Sequence, residues 1–320
     1  MNVNTPMSDE KAVKRKMTRN ATFINIKKYK VLLLLMIPGL IYFIIFHYIP
    51  MFGVVLAFKD YKITEGILGS PWVGLENFEE VFSNRDFYLV LKNTLLISLY
   101  KLFFGFPAPI IFALLLNEVV NLKFKKFVQT ISYLPHFISW VVLAGIFTVI
   151  FSLEGPINLF LSVLGVDPVI FLADERYFRS VLVITDIFKS FGWGSIIYFA
   201  AIAGIDQQLY EAAIIDGANR FKRIVYITVP MLVPVMVILL ILNMAYILDA
   251  GFDQIFNMYN PSVYYVSDII DTYVYRKGLV EMQYSYSVAI GLFKSVVALI
   301  LILIVNRTVK KIGGGEHAIW

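Results

Sequence analysis

The sequence predicts an all-α integral membrane protein of six transmembrane helices. Three observations carry this. The 320-residue chain is 59% apolar and only 16% charged, whereas a soluble domain is about a quarter charged. Uncharged runs cover 31–58, 102–117, 127–153, 190–205 and 224–248, and several exceed the ~20 residues a helix needs to cross a bilayer core. Strand-length alternation is absent, which argues against a β-barrel.

Taken in order, residues 1–30 form a basic tail with Lys11, Lys14, Arg15, Lys16, Arg19, Lys27, Lys28 and Lys30 and no sustained apolar period. The first apolar run is too long for a signal-peptide core and lacks a small-residue cleavage site, so it reads as an uncleaved span. Spans are expected over 31–50, 93–116, 131–151, 180–203, 228–249 and 285–305. They make one membrane domain over 31–305, followed by a C-terminal tail over 306–320. With the N-terminus inside, inner segments hold seventeen Lys and Arg and outer segments eight, so the positive-inside rule places both termini in the cytoplasm. The net charge of +5 belongs to these flanks and gives no reason to expect nucleic acid. With no cysteine, disulfides and thiol chemistry are excluded.

The outer loop after the first span carries apolar residues at Leu75, Phe78, Val81 and Phe82, a helical spacing. A short amphipathic helix is expected there, with Ser83 and Asp86 at capping-box spacing before the second span. Pro107 and Pro109 should kink that span.

The segment 204–230 differs from everything around it. It reads Glu211-Ala212-Ala213-Ile-Ile-Asp216-Gly217-Ala218 and runs on to Pro230. Asp206 suits an N-cap. Ile214, Ala218, Phe221 and Val225 recur as one apolar stripe, and Asp216, Asn219, Arg220 and Arg223 as a polar one. Asp216 and Arg220 stand at ion-pair spacing. Gly217 is costly inside a helix and marks a bend between two short ones. Pro230 suits a first helical turn. Small side chains at 212, 213, 217 and 218 let another protein approach closely. A plain interfacial helix fits the same residues, and physics alone does not choose between the two.

The pattern Glu-Ala-Ala-x-x-Asp-Gly-Ala, continued by Ile227-Thr-Val-Pro230, resembles the EAA loop of binding-protein-dependent ABC importer permeases. Gly74-Leu75-Glu76-Asn77-Phe78, Phe252-Asp253-Gln254-Ile255, Asp271-Thr-Tyr-Val-Tyr275-Arg and Tyr286-Ser-Val-Ala-Ile-Gly291-Leu-Phe are similar to the carbohydrate branch, nearest to its LplB- and YteP-type oligosaccharide permeases. Ile224 departs from the Phe that many members carry, but stays apolar. The resemblance implies a type I importer permease fold in a bacterial, Gram-positive cell membrane. It implies that Glu211, Ala212, Ala213, Asp216, Gly217, Ala218, Arg220, Phe221 and Pro230 serve coupling to an ATPase. Implied partners are a second related permease, two cytoplasmic ATPase subunits and an extracellular sugar-binding lipoprotein, with membrane lipid around them. ATP and Mg would bind those ATPases and nothing would bind here as cofactor, since no phosphate-cradling G-x-x-x-x-G-K run and no zinc-type histidine cluster occurs. The chain is then a non-catalytic transport subunit working by alternating access.

Four charges fall inside spans: Lys101, Asp186, Lys189 and Lys294. Such charges are costly unless paired or wetted. Asp186 and Lys189, at i, i+3, are expected to neutralise each other, which leaves Lys101 and Lys294 as candidates for a wet pathway. Trp193, Tyr198, Asn243 and Tyr246 join them as candidate pathway residues. Belt or core packing competes for the aromatics, with Trp193 favoured because Gly192 and Gly194 leave space beside it. The lysine surplus points to an acidic oligosaccharide. An ion-coupled secondary transporter is the rival reading, but the inverted repeats it calls for are not evident. A lipid-linked-sugar enzyme would need more than Asp249 and Asp253.

Overall fold

The computed structural model describes residues 29–312. The chain divides into two compact units, Met1–Val55 and Leu56–Trp320. The expected basic tail and most of the C-terminal tail lie outside the described residues. Among the described residues no strand forms, apart from one isolated bridge between Lys59 and Trp72.

Among the described residues, five helices are long and apolar enough to cross a membrane: Lys30–Phe58, Arg85–Asn117, Glu175–Ala203, Arg220–Met244 and Tyr284–Thr308. A bent pair, Leu122–Phe137 and Trp140–Ile150, meets at 106° and brings the number to six if it counts as one span. This corrects the straight third span expected over 131–151. Pro135 lies in a tight turn at Leu134–Phe137, and Ser139 restarts the chain as an N-cap, accepting from the Val142 N–H at 3.4 Å.

Prolines explain three of the four π-turns among the described residues; the fourth, Arg276–Val280, has none after it. π-turns at Ile44–Tyr48, Lys101–Gly105 and Ile224–Thr228 each end two residues before a proline, at Pro50, Pro107 and Pro230. Proline offers no N–H to the carbonyl four residues back, and its ring crowds that carbonyl. The helix widens by one residue in the preceding turn instead of breaking. The kink expected at Pro107 takes this form. Pro230 does open the regular stretch Val229–Ala245. The helix itself starts earlier, at Arg220, so the fifth span runs over Arg220–Met244 in place of 228–249.

In the first unit, Lys30–Phe43 is apolar on every side and none of its residues is buried. A helix apolar all round is a span or a core helix.

Among the described residues, the second unit holds three apolar clusters. One gathers Leu143, Phe147, Phe178, Leu182 and Ile255. A second joins Val81, Phe87, Ile270, Tyr273 and Ile290. The third packs Ala113, Tyr198, Ile202 and Leu232. The short loop helix forms at Glu76–Ser83 with Val81 buried. Asn84, not Ser83, caps the second span, because its Oδ1 accepts from the Asp86 N–H at 2.9 Å while Ser83 bonds back to Glu79 O. Polar pins tie these elements. Arg179 donates to Asn93 Oδ1 at 2.7 Å and to Val266 O at 3.0 Å. Arg276 pairs with Asp268; burial opposes its charge, but the bonds and charge of Asp268 raise its pKa overall.

Candidate functional site

A cavity of about 360 Å³ opens between the second, fourth and fifth spans, within the usual size of a small-molecule site. Lys101 enters it from the π-turn before Pro107. Its Nζ donates to Ala250 O at 2.8 Å and to Gln254 Oε1, and stands 3.4 Å from Asp186 Oδ1. Gln254 is fully buried and passes the network on, donating to Leu182 O at 2.7 Å and Thr185 Oγ1 at 2.8 Å. One lysine thus joins the second span, the fourth span and the turn after the fifth. Gly251 permits this: its φ is +93°, and a Cβ there would stand 2.8 Å from Lys101 Nζ.

Of the eight candidate pathway residues, Lys101, Asp186, Tyr198, Asn243 and Tyr246 line this cavity. Lys189, Trp193 and Lys294 do not. Asp186 and Lys189 do not form the expected pair. Asp186 faces Lys101, while Lys189 turns to the backbone of the bent pair, donating to His136 O at 3.1 Å, Pro135 O at 3.4 Å and Ile138 O. Pro135 O also accepts from the Ile138 N–H at 3.2 Å, whereas His136 O and Ile138 O sit at the bend where the helix ends, and a cation suits a helix C-terminus.

Trp193 stacks on His136, with centroids 4.7 Å apart and planes 2° apart. The space expected at Gly192 is filled, whereas Gly194 lines the cavity. A Cβ at Gly192 would fall 2.0 Å from Ser132 O, and one at Gly194 3.3 Å from Pro109 Cβ. These glycines let neighbouring segments close in. Lys294 is not unpartnered either, for it meets Asp271 Oδ1 at 2.5 Å. With each lysine satisfied, the surplus that pointed to an acidic cargo is no cationic pathway.

The sequence reading passed over Ser98, Gly251 and the role of Gln254. Ser98 stands three residues before Lys101, hence on the same helical face, and that spacing was the available signal.

The loop 204–230 folds as two short helices, Gln207–Ile215 and Arg220–Arg223. Asp206 caps the first, its Oδ1 accepting from the Gln208 N–H at 2.9 Å. Gly217, at φ +76°, closes it as a Schellman motif. Ala218 N–H donates to Ala213 O at 2.8 Å and Gly217 N–H to Ile214 O at 3.0 Å. The turn breaks the single apolar stripe expected from Ile214 to Val225. It also separates Asp216 from Arg220, which form no ion pair among the described residues. Glu211, Ala212, Asp216, Gly217, Arg220, Phe221 and Pro230 are exposed, with Ala213 and Ala218 half-buried. Ile215 is 87% and Phe221 73% exposed. Tyr210 OH and Thr228 Oγ1, 2.9 Å apart, tie the loop to the fifth span.

Residues 105–314 match the family model described as "Binding-protein-dependent transport system inner membrane component". The chain is 47% identical over 287 residues to Protein LplB of Bacillus subtilis, covering 89% of this chain and 90% of that one. It is 45% identical over 300 residues to the polygalacturonan/rhamnogalacturonan transport system permease protein YteP of the same organism, covering 93% and 94%. Among solved structures, a bacterial alginate ABC transporter in complex with alginate pentasaccharide-bound periplasmic protein superposes with a TM-score of 0.84 at 39% identity, covering 93% of this chain and 99% of that chain.

Proposed function

The chain belongs to the binding-protein-dependent transport system inner membrane components, and on that premise we propose how its parts divide the work of import. It is a multi-pass permease subunit of an ABC importer with the type I permease fold, a transport component and not an enzyme. The cargo is an oligosaccharide. The relatives' names, polygalacturonan and alginate, favour a uronic-acid sugar. The cavity adds no cationic support, because Asp186 already matches Lys101 and Asp249 stands beside them.

One observation carries the reading. The exposed helix closed at Gly217 sits on the loop joining the fourth and fifth spans, and those spans wall the cavity. From Ser190 on the wall to Ala203 beside the loop the helix is unbroken, about 20 Å at the helical rise. A push on the loop therefore reaches the cavity as a rigid-body shift. Ile214, Ile215 and Phe221 form the apolar contact for a cytoplasmic ATPase, with Glu211, Asp216 and Arg220 around them. ATP and Mg reside on two such subunits. A second related permease completes the pathway, and a sugar-loaded extracellular lipoprotein docks outside. Six spans with both termini cytoplasmic, in a Gram-positive cell membrane, fit the basic inner loops. Sugar shifts the inward and outward states only through its differential binding to them.

The test is a tagged pull-down from native membranes in mild detergent, read by mass spectrometry. A second permease and a P-loop ATPase are expected. Recovery of the chain alone would overturn the coupling assignment. The rival ion-coupled transporter has no support in the family match.

A further inference from the structure

Four buried polar atoms lack a hydrogen-bond partner among the described residues: Ser98 Oγ, Arg223 Nε, Asp271 Oδ2 and Ser287 Oγ. Only Ser98 stands on the cavity wall. It is 6% exposed. Serine and threonine in a span ordinarily donate to the carbonyl four residues back. Thr94, Thr148, Thr185, Ser190 and Ser295 all do so, at 2.6 to 2.9 Å. Ser98 does not. Across the same cavity Tyr198 is 2% exposed, and its hydroxyl makes no hydrogen bond to the described residues. A buried hydroxyl without a partner is costly, and the orphaned Ser98 hydroxyl, with the unbonded Tyr198 hydroxyl on the opposite helix, marks a place where something else supplies the bonds.

We propose that Ser98 and Tyr198 read hydroxyl groups of the transported sugar. Each both donates and accepts, as a sugar hydroxyl does, and neither distinguishes a charged sugar from a neutral one. Asn243, whose Nδ2 donates to Leu239 O at 2.8 Å, adds an unbonded Oδ1 acceptor. Apolar Leu102, Phe106 and Pro109 on the same wall suit the C–H face of a ring. Selection at this point of the pathway is by hydroxyl position, while Lys101 is held by Asp186 and Gln254. The proposal rests on the cavity being the sugar pathway.

The absence of cysteine from this chain makes a direct test available. Ser98→Cys and, as a reference, Tyr246→Cys are introduced singly into the assembled importer in membrane vesicles. Labelling of this chain by a methanethiosulfonate is followed with and without a mixture of oligogalacturonides, alginate oligosaccharides and arabino-oligosaccharides. Protection of both cysteines by the mixture is expected. Protection of Tyr246→Cys alone would overturn the role of Ser98 and leave the pathway standing. Protection of neither would overturn the pathway reading itself. In parallel, Ser98→Ala should lower uptake of the best-transported of these sugars about tenfold through KM, and Ser98→Thr should restore most of it. An unchanged KM in Ser98→Ala would overturn the proposal.

Discussion

Gly251 and Lys101 are 150 positions apart in the chain, yet a methyl group added to Gly251 would lie 2.8 Å from the Lys101 ammonium. The turn after the fifth span and the π-turn of the second are therefore fitted to each other at the level of one missing carbon. The left-handed φ of +93° at Gly251 adds a backbone penalty of about 1–2 kcal/mol for any L side chain. Gly251→Ala should lose uptake at least tenfold and lower the unfolding temperature of the purified importer. Uptake at the wild-type rate would mean that the turn relaxes freely and does not hold Lys101.

Lys101 and Asp186 are coupled through space and through Gln254. Removing the lysine alone strands a carboxylate and an amide oxygen in a partly dry site. Breaking such a pair costs about 3–5 kcal/mol when it is fully buried; the 31% exposure of the Asp186 side chain moves the expectation to the low end. Lys101→Met should therefore destabilise strongly, Asp186→Asn less, and the double variant less than the sum of the two. Denaturant or thermal unfolding across the four proteins measures that coupling, about 0.5–3 kcal/mol for groups in contact. Strict additivity would show that the two side chains do not share a network.

The spans were legible because long uncharged runs have few alternatives in a chain this apolar. Their ends were not. Arg85 and Asp86 sit in the first turn of the second span, where a charge can reach water and a composition window cannot see that the helix has begun. The bend after Pro135 was hidden for a related reason: an apolar run reads the same whether straight or turned through 106°. At the site, the cost of intramembrane charge flagged Lys101, Asp186, Lys189 and Lys294 as needing a partner or water, but Lys101, expected to lack a local partner, meets Asp186. Local spacing then assigned Asp186 to Lys189, because contacts between residues 101 and 250 or 254 leave no periodic trace. The bend near Gly217 was legible, since a glycine at that place in a helical pattern has a backbone reason.

Lys189 separates a structural role from a pathway role. Its amine caps three carbonyls at the bend and lies off the cavity wall. Lys189→Met should cost about 1–3 kcal/mol, the price of stranded acceptors, and reduce the yield of folded importer. Uptake per folded molecule and its KM for sugar should stay unchanged. A raised KM at unaltered stability would instead place Lys189 on the sugar's route.

Gly217 offers a graded test of coupling. A Cβ would meet nothing within 4 Å there, so substitutions act through the backbone alone. Asparagine tolerates the left-handed region best among other residues, alanine pays about 1–2 kcal/mol, and proline cannot reach φ +76° at all because its ring fixes φ near −65°. Proline also deletes the N–H that Ile214 O accepts. Uptake should fall in the order Gly217, Gly217→Asn, Gly217→Ala, Gly217→Pro, ending at background. Membrane insertion, read by immunoblot of washed membranes, should stay level, because the spans on either side do not depend on the turn. Co-purification of the ATPase should decline in step with uptake, since the motif presents Ile215 and Phe221 only when its Schellman bonds hold. If Gly217→Pro transports normally, the loop does not transmit force in this geometry, and coupling must be sought on another inner segment.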